Sequence, residues 1–280
     1  MVIDVLSLPS IRLHYTLSGN TDPNAPTVVL LHGWPQTSAC WDQLTPLLPD
    51  AYRVIAPDLR SYGLSDKPQG GYSKRRMAAD IVELLDALDV ERSHVVGHDR
   101  GARVAHRFAL DQADRIRTLA VLDVVPTHAM FQSDTATAAG FFHWLFHMQH
   151  DLPEAMTSGR EEEYLRYLFH RWTLRRDRLE PMIGHYIESF KQPGAMHAGF
   201  EDYRATWEDL DHDEHDHQVG YRVTVPTLAL WGDHGLAAQA PVLSKWRDYV
   251  EETRDSTSLL EWRVALLGPD SPRTWYQFSG

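Results

Sequence analysis

Asp99 lies in the middle of Val95-Val96-Gly97-His98-Asp99-Arg100-Gly101, where a β-type run gives way to a helical one that starts at Ala102. A strand that turns straight into a helix bends tightly enough to strain its central residue. Small residues two before and two after it let the two elements approach, and Gly97 and Gly101 stand at those places. The Asp99 side chain then projects at a helix N-terminus, where the macrodipole favours an anion. The Gly spacing alone also fits an ordinary βα turn. Placed on such a bend, a carboxylate needs no deprotonation at neutral pH. It can attack an sp³ carbon from which a halide or an epoxide oxygen departs, leaving an alkyl ester on the protein. A base-activated water must then attack that ester, and the developing oxyanion needs N–H donors. Haloalkanes, epoxides and haloacids are the substrate classes that fit.

Arg100 and Arg103 choose among them. Three residues apart at the start of a helix, both can point to the region beside Asp99. Two guanidinium groups near a nucleophilic carboxylate suit a substrate that carries its own carboxylate, held by charge-assisted bonds. The alternative is that both pair with acidic groups of the protein surface.

The elements that must position these residues alternate in type. Ile11–Ser18, Thr27–His32, Tyr52–Asp58, Ser93–Asp99 and Thr118–Val124 have strand composition, and Met77–Leu88 carries apolar residues at helical spacing. Alternation of this kind predicts parallel strands joined by helices, with functional groups at the carboxyl ends of the strands. From Thr127 to Gln218 strand-like runs vanish and aromatic-rich helical ones take over. The β signal returns with Val225–Gly232. The division expected is a core over residues 1–126 and 219–280, with a helical cap over 127–218 inserted between them.

The strand, Gly-x-Asp-x-Gly and helix together resemble the nucleophile elbow of α/β-hydrolases, with Asp in place of the usual Ser. The resemblance implies an α/β-hydrolase fold, a mostly parallel sheet with the cap inserted after its sixth strand. His32-Gly33-Trp34-Pro35 matches that superfamily's His-Gly-x-Pro turn, so the backbone N–H groups of Trp34 and Arg100 are the expected oxyanion-hole donors. Asp58–Pro68 is similar to the loop after the third strand, with Ser61 where the family has Gly, and it reads as structural. Gly97–Arg103 closely resembles fluoroacetate dehalogenases, whereas haloalkane dehalogenases and epoxide hydrolases usually carry Trp after the Asp. By the same resemblance His143, Trp144 and Tyr203 (in Glu201-Asp202-Tyr203-Arg204) are expected to solvate departing halide, and Trp172 to line the pocket. Asp123 is expected to be the charge-orienting acid, with Asp233 as the alternative.

That family also implies a histidine base after the last strand, but no histidine follows His234. Beyond about Thr253 the sequence departs from the family, as if a reading-frame change fell near Thr253–Ser258. The expectations are therefore an atypical tail over 253–280, a last β run left partly unpacked, and ester hydrolysis impaired unless His234 serves as base.

Among 280 residues, 43% are apolar and 24% charged, a globular composition. With 27 Lys and Arg against 39 Asp and Glu the net charge is −12, which argues against nucleic acid or an anionic membrane as partner. Cys40 is the only cysteine, and no apolar run approaches the roughly 18 residues of a membrane span. A soluble cytoplasmic protein is expected, without cofactor. Asp211–His217 reads as a solvated turn rather than a metal site. Related dehalogenases commonly form dimers, so a homodimer is an expectation by resemblance. The function expected is hydrolysis of short 2-haloacids; the competing readings are an epoxide hydrolase and a non-catalytic carboxylate-binding protein of the same fold.

Overall fold

The computed structural model of the chain describes residues 2–232, 241–251 and 259–264, the last segment as backbone. Eight strands form one sheet: β1 (Val2–Ser7), β2 (Arg12–Gly19), β3 (Thr27–Leu31), β4 (Arg53–Pro57), β5 (Ser93–His98), β6 (Ile116–Leu122), β7 (Thr227–Gly232) and β8 (Leu259–Val264). Their order is β1-β2-β4-β3-β5-β6-β7-β8. β2 pairs antiparallel with β1 and β4, and all other pairings are parallel. The central strands β3 and β4 are buried at every residue, as a parallel strand covered on both faces must be.

Helix α1 (Lys74–Ala87) buries Met77, Ile81, Leu84 and Leu85, the stripe that its spacing predicts. Helix α2 (Arg100–Asp111) is buried from Arg100 through Leu110 and packs on α1, β5 and β6, so it is the axis of the core. Between β6 and β7 the chain is helical: α3 (Thr127–Phe131), α4 (Thr135–Gly140), α5 (Phe142–His147), α6 (Leu152–Thr157), α7 (Glu161–Trp172), α8 (Arg176–Phe190), α9 (Ala195–Arg204) and α10 (Thr206–Gln218). The short α11 (Val242–Arg247) follows β7. This is the α/β-hydrolase fold, with its helical insertion after the sixth strand.

Three features depart from the sequence reading. β1 was not foreseen; Val2, Ile3 and Val5 are exposed along it, so it lacks the alternation that marks a half-buried strand. Asp211–His217 is not a solvated turn but part of α10. Its lack of apolar residues hid the helix, whose inner face is ionic: Arg107 donates to Asp213 at 2.6 Å and to Asp216 at 2.6 Å. β8 pairs with β7 in regular parallel register, Thr227 opposite Leu259 through Gly232 opposite Val264, so the last β run joins the sheet. Asp233, His234 and the remainder of the tail lie outside the described residues.

The loop after β4 is built around Asp58. Its buried carboxylate accepts from the backbone N–H of Ser38 at 2.8 Å and of Leu64 at 3.0 Å, and it pairs with His14 at 2.7 Å. These bonds outweigh the cost of burial and hold the carboxyl down at about 2. The loop is tied together as a structural element.

Candidate active site

The bend between β5 and α2 places Asp99 at φ 48°, ψ −117°, a strained conformation for a residue with a Cβ. The flanking glycines have a steric cause. A Cβ on Gly97 would lie 2.5 Å from the carbonyl oxygen of Gly101, and one on Gly101 would lie 2.4 Å from that of His32. Trp34, on the turn after β3, donates its backbone N–H to Asp99 Oδ1 at 2.9 Å. Arg100 opens α2, where a backbone N–H has no intrahelical acceptor. Both expected oxyanion donors therefore flank Asp99 in the chain's own geometry.

Asp99 opens onto a cavity of about 210 Å³ between the sheet and the helical insertion. Trp34, Asp99, Arg100, Asp123, His143, Trp144, Trp172 and Tyr203 all line it, so eight of the residues singled out from sequence converge on one space. Asp123 follows β6 at φ 58°, and its Oδ1 accepts from Gly232 N at 3.4 Å. Burial raises the Asp123 carboxyl and the nearby Asp99 adds to the rise, while His98 pulls it back down.

The ninth, Arg103, is not on the cavity wall. Its Nη1 donates to the carbonyl of Val125 at 3.1 Å and to Thr127 Oγ1 at 3.0 Å, and its guanidinium lies 4.3 Å from the centre of the Trp144 ring. The expectation that both arginines face the space beside Asp99 is thus met by Arg100 alone. Arg103 is three residues further along a helix that dives into the core, and it supports Trp144 from behind. Trp144 also differs from expectation: its indole N–H donates to Thr206 Oγ1 at 2.9 Å, so that donor is already engaged.

Other donors are free. Trp172 Nε1 and His143 Nδ1 are buried without a hydrogen-bond partner among the described residues. The Tyr203 hydroxyl also makes none there. Burial, reinforced by Asp99, raises Tyr203 far above its ordinary value and keeps its O–H in place as a donor. Burial lowers His143 to about 4, so its ring is neutral near pH 7. Sequence reasoning missed His98, Phe141, Phe169 and Leu179 on the wall. His98 was legible as the neighbour of Asp99, whereas the apolar residues come from cap helices whose faces no spacing distinguishes. Among the described residues no group of three or more His, Cys, Asp or Glu side chains is arranged to hold a metal ion. Nor is any helix there long and apolar enough to cross a membrane.

A carboxylate thus stands on a strained strand-to-helix bend, takes a backbone N–H from the turn after β3, and is roofed by helices. A family model described as alpha/beta hydrolase fold matches residues 26–257, and the chain belongs to that family. Within it the chain falls in the dehalogenase and epoxide hydrolase group. It is 38% identical over 225 residues to a fluoroacetate dehalogenase from Burkholderia sp, covering 76% of this chain and 73% of that one. It is 32% identical over 246 residues to a soluble epoxide hydrolase from Corynebacterium sp. (strain C12), covering 86% and 83%. The crystal structure of ALR0039 from Nostoc sp PCC 7120 superposes with a TM-score of 0.84 at 39% identity, covering 89% of this chain and 87% of that one.

Proposed function

We propose that this hydrolase acts on short 2-haloacids, converting haloacetate to glycolate and halide through an ester on Asp99. The observation that carries this reading is the presence, on the wall of one cavity, of the Asp99 carboxylate and of Arg100, whose Nη1 is buried without a partner. Asp202 engages the other edge of Arg100, and a neutral epoxide or haloalkane offers no charge to the remaining Nη1. A substrate carboxylate forms charge-assisted hydrogen bonds with it.

In the first step an Asp99 oxygen attacks the halogen-bearing carbon. The C–O bond forms, the C–halogen bond breaks, and its electron pair leaves with the halide. His143, Trp172 and Tyr203 offer N–H and O–H donors to that ion, which fluoride in particular requires. In the second step water adds to the ester carbonyl of Asp99 while its proton passes to a base. Negative charge gathers on the carbonyl oxygen beneath the N–H groups of Trp34 and Arg100, and collapse releases glycolate and restores the carboxylate. Asp123 steadies the protonated base. His98 and His143 are the imidazoles on the described cavity wall, and His98 is near enough to Asp123 to lower its carboxyl.

The unengaged Tyr203 hydroxyl favours a second reading, an epoxide hydrolase in which that O–H protonates the ring oxygen. Incubation with chloroacetate and, separately, with styrene oxide separates the two. The expected result is free chloride and no diol; diol without chloride would establish the second reading. Binding of acetate with neither product would point to a non-catalytic carboxylate-binding protein.

A further inference from the structure

Asp202 precedes Tyr203 on α9, and it is fully buried. Its carboxylate takes Arg100 Nη2 at 2.8 Å, Arg100 Nε at 3.2 Å, the Tyr62 hydroxyl at 2.5 Å and the Lys74 ammonium, while its backbone carbonyl takes Arg100 Nη2 again at 2.6 Å. Asp202 belongs to the helical insertion. Its three partners come from three separate pieces of the core: the loop after β4, the start of α1 and the start of α2. Lys74 is anchored in turn, its backbone N–H donating to Asp209 of α10 at 2.6 Å.

The consequence for Arg100 is geometric. Nε and Nη2 are consumed by Asp202, and the guanidinium carbon lies 4.3 Å from the Tyr203 ring centre and 5.1 Å from that of Trp144. The guanidinium packs against both rings, which stand at 78° to each other, and is held along one edge. Nη1 remains, buried and unpartnered, on a residue that lines the cavity. A substrate carboxylate can therefore reach Arg100 through this one nitrogen and not through a two-nitrogen fork.

From this arrangement we infer that Asp202 is a positioning residue that docks the helical insertion on the core and, through the same contacts, aims Arg100 Nη1 at the substrate carboxylate. The inference rests on the haloacid reading of the site. It makes recognition of the carboxylate conditional on the docked insertion, because the group that aims Arg100 arrives with α9.

The test compares Asp202→Asn with the unmodified protein on charged and neutral ligands: chloroacetate against chloroacetamide for turnover, and acetate against acetamide for binding by calorimetry. The amide side chain keeps the shape but lacks the charge that orders Arg100. The expected result is a rise of about tenfold or more in KM for chloroacetate and in Kd for acetate, with the neutral pair changed less than about twofold. Equal losses on charged and neutral ligands would overturn the positioning role and leave a purely structural one. If Asp202→Asn does not fold, Tyr62→Phe removes one donor to the same carboxylate. The same selective loss, smaller in size, is expected there, and an unselective change overturns the inference. Unmodified protein that neither releases chloride nor binds acetate removes the haloacid reading and this inference with it.

Discussion

Arg103 is 6% exposed, and its bonds run to Val125 and Thr127. Its guanidinium packs on the Trp144 ring, and its charge still bears on Asp99 and His143. Arg103→Met therefore leaves a buried carbonyl without its donor and lowers stability by about 1–3 kcal/mol. Thermal unfolding measures that cost. KM for chloroacetate and chloroacetamide should change in the same proportion, and a selective rise for the charged substrate would place Arg103 on the substrate. At this scale the sequence was informative about identity and poor about orientation. Gly97-His98-Asp99-Arg100-Gly101 marked the tight bend because a Cβ at either glycine would collide with backbone. Whether Arg100 or Arg103 faces the ligand depends on partners that come from Asp202, Val125 and Thr127, and no local spacing encodes those. The Trp144 donor was misjudged for the same reason, since Thr206 lies far along the chain.

Elements were legible where burial follows a regular period. β3 and β4 are apolar after their first residues, Thr27 and Arg53, and α1 repeats its apolar residues at helical spacing, so both types declared themselves. α10 did not, because its buried face is made of carboxylates neutralised by Arg107 and Lys74, and an ionic face leaves no hydrophobic period. The loop after β4 offers a test at this scale. Ser61 sits at φ 84° and is buried, and its hydroxyl finds no partner among the described residues. Glycine adopts that conformation without a Cβ penalty and removes the orphaned hydroxyl. Ser61→Gly should stabilise the protein by about 1 kcal/mol and raise Tm by roughly 2–4 °C. An unchanged or lower Tm would show that the backbone there is not strained.

For the whole molecule, buried histidines set the response to acid. Burial lowers both His106 and His143 to about 4 from an ordinary 6.5. Between those values the unfolded chain binds protons that the folded chain does not, so stability is complete above about pH 6.5 and falls as pH drops toward 4. Asp58, held at about 2, has the depressed carboxylate's behaviour: its contribution is present above an ordinary 3.8 and is lost as pH falls through 2. Urea unfolding across pH 3 to 8 should show the decline beginning near 6.5, and a flat profile from 8 to 5 would contradict it. His143 lies on the cavity wall, and His106 packs in the core on α2 against Trp246 and Tyr249, so acid strikes site and core alike. Loss of fold and loss of site should therefore run together.

The central claim is that Asp99 itself becomes bonded to the substrate. Mass spectrometry of the peptide bearing Asp99, after incubation with chloroacetate in heavy-oxygen water, tests it most directly. The mass gain should lie on Asp99, as the carboxymethyl ester if the second step stalls or as heavy oxygen in the carboxylate if turnover continues, and Asp99→Asn should release no chloride. Chloride release from a protein whose Asp99 carries neither mark would contradict the account.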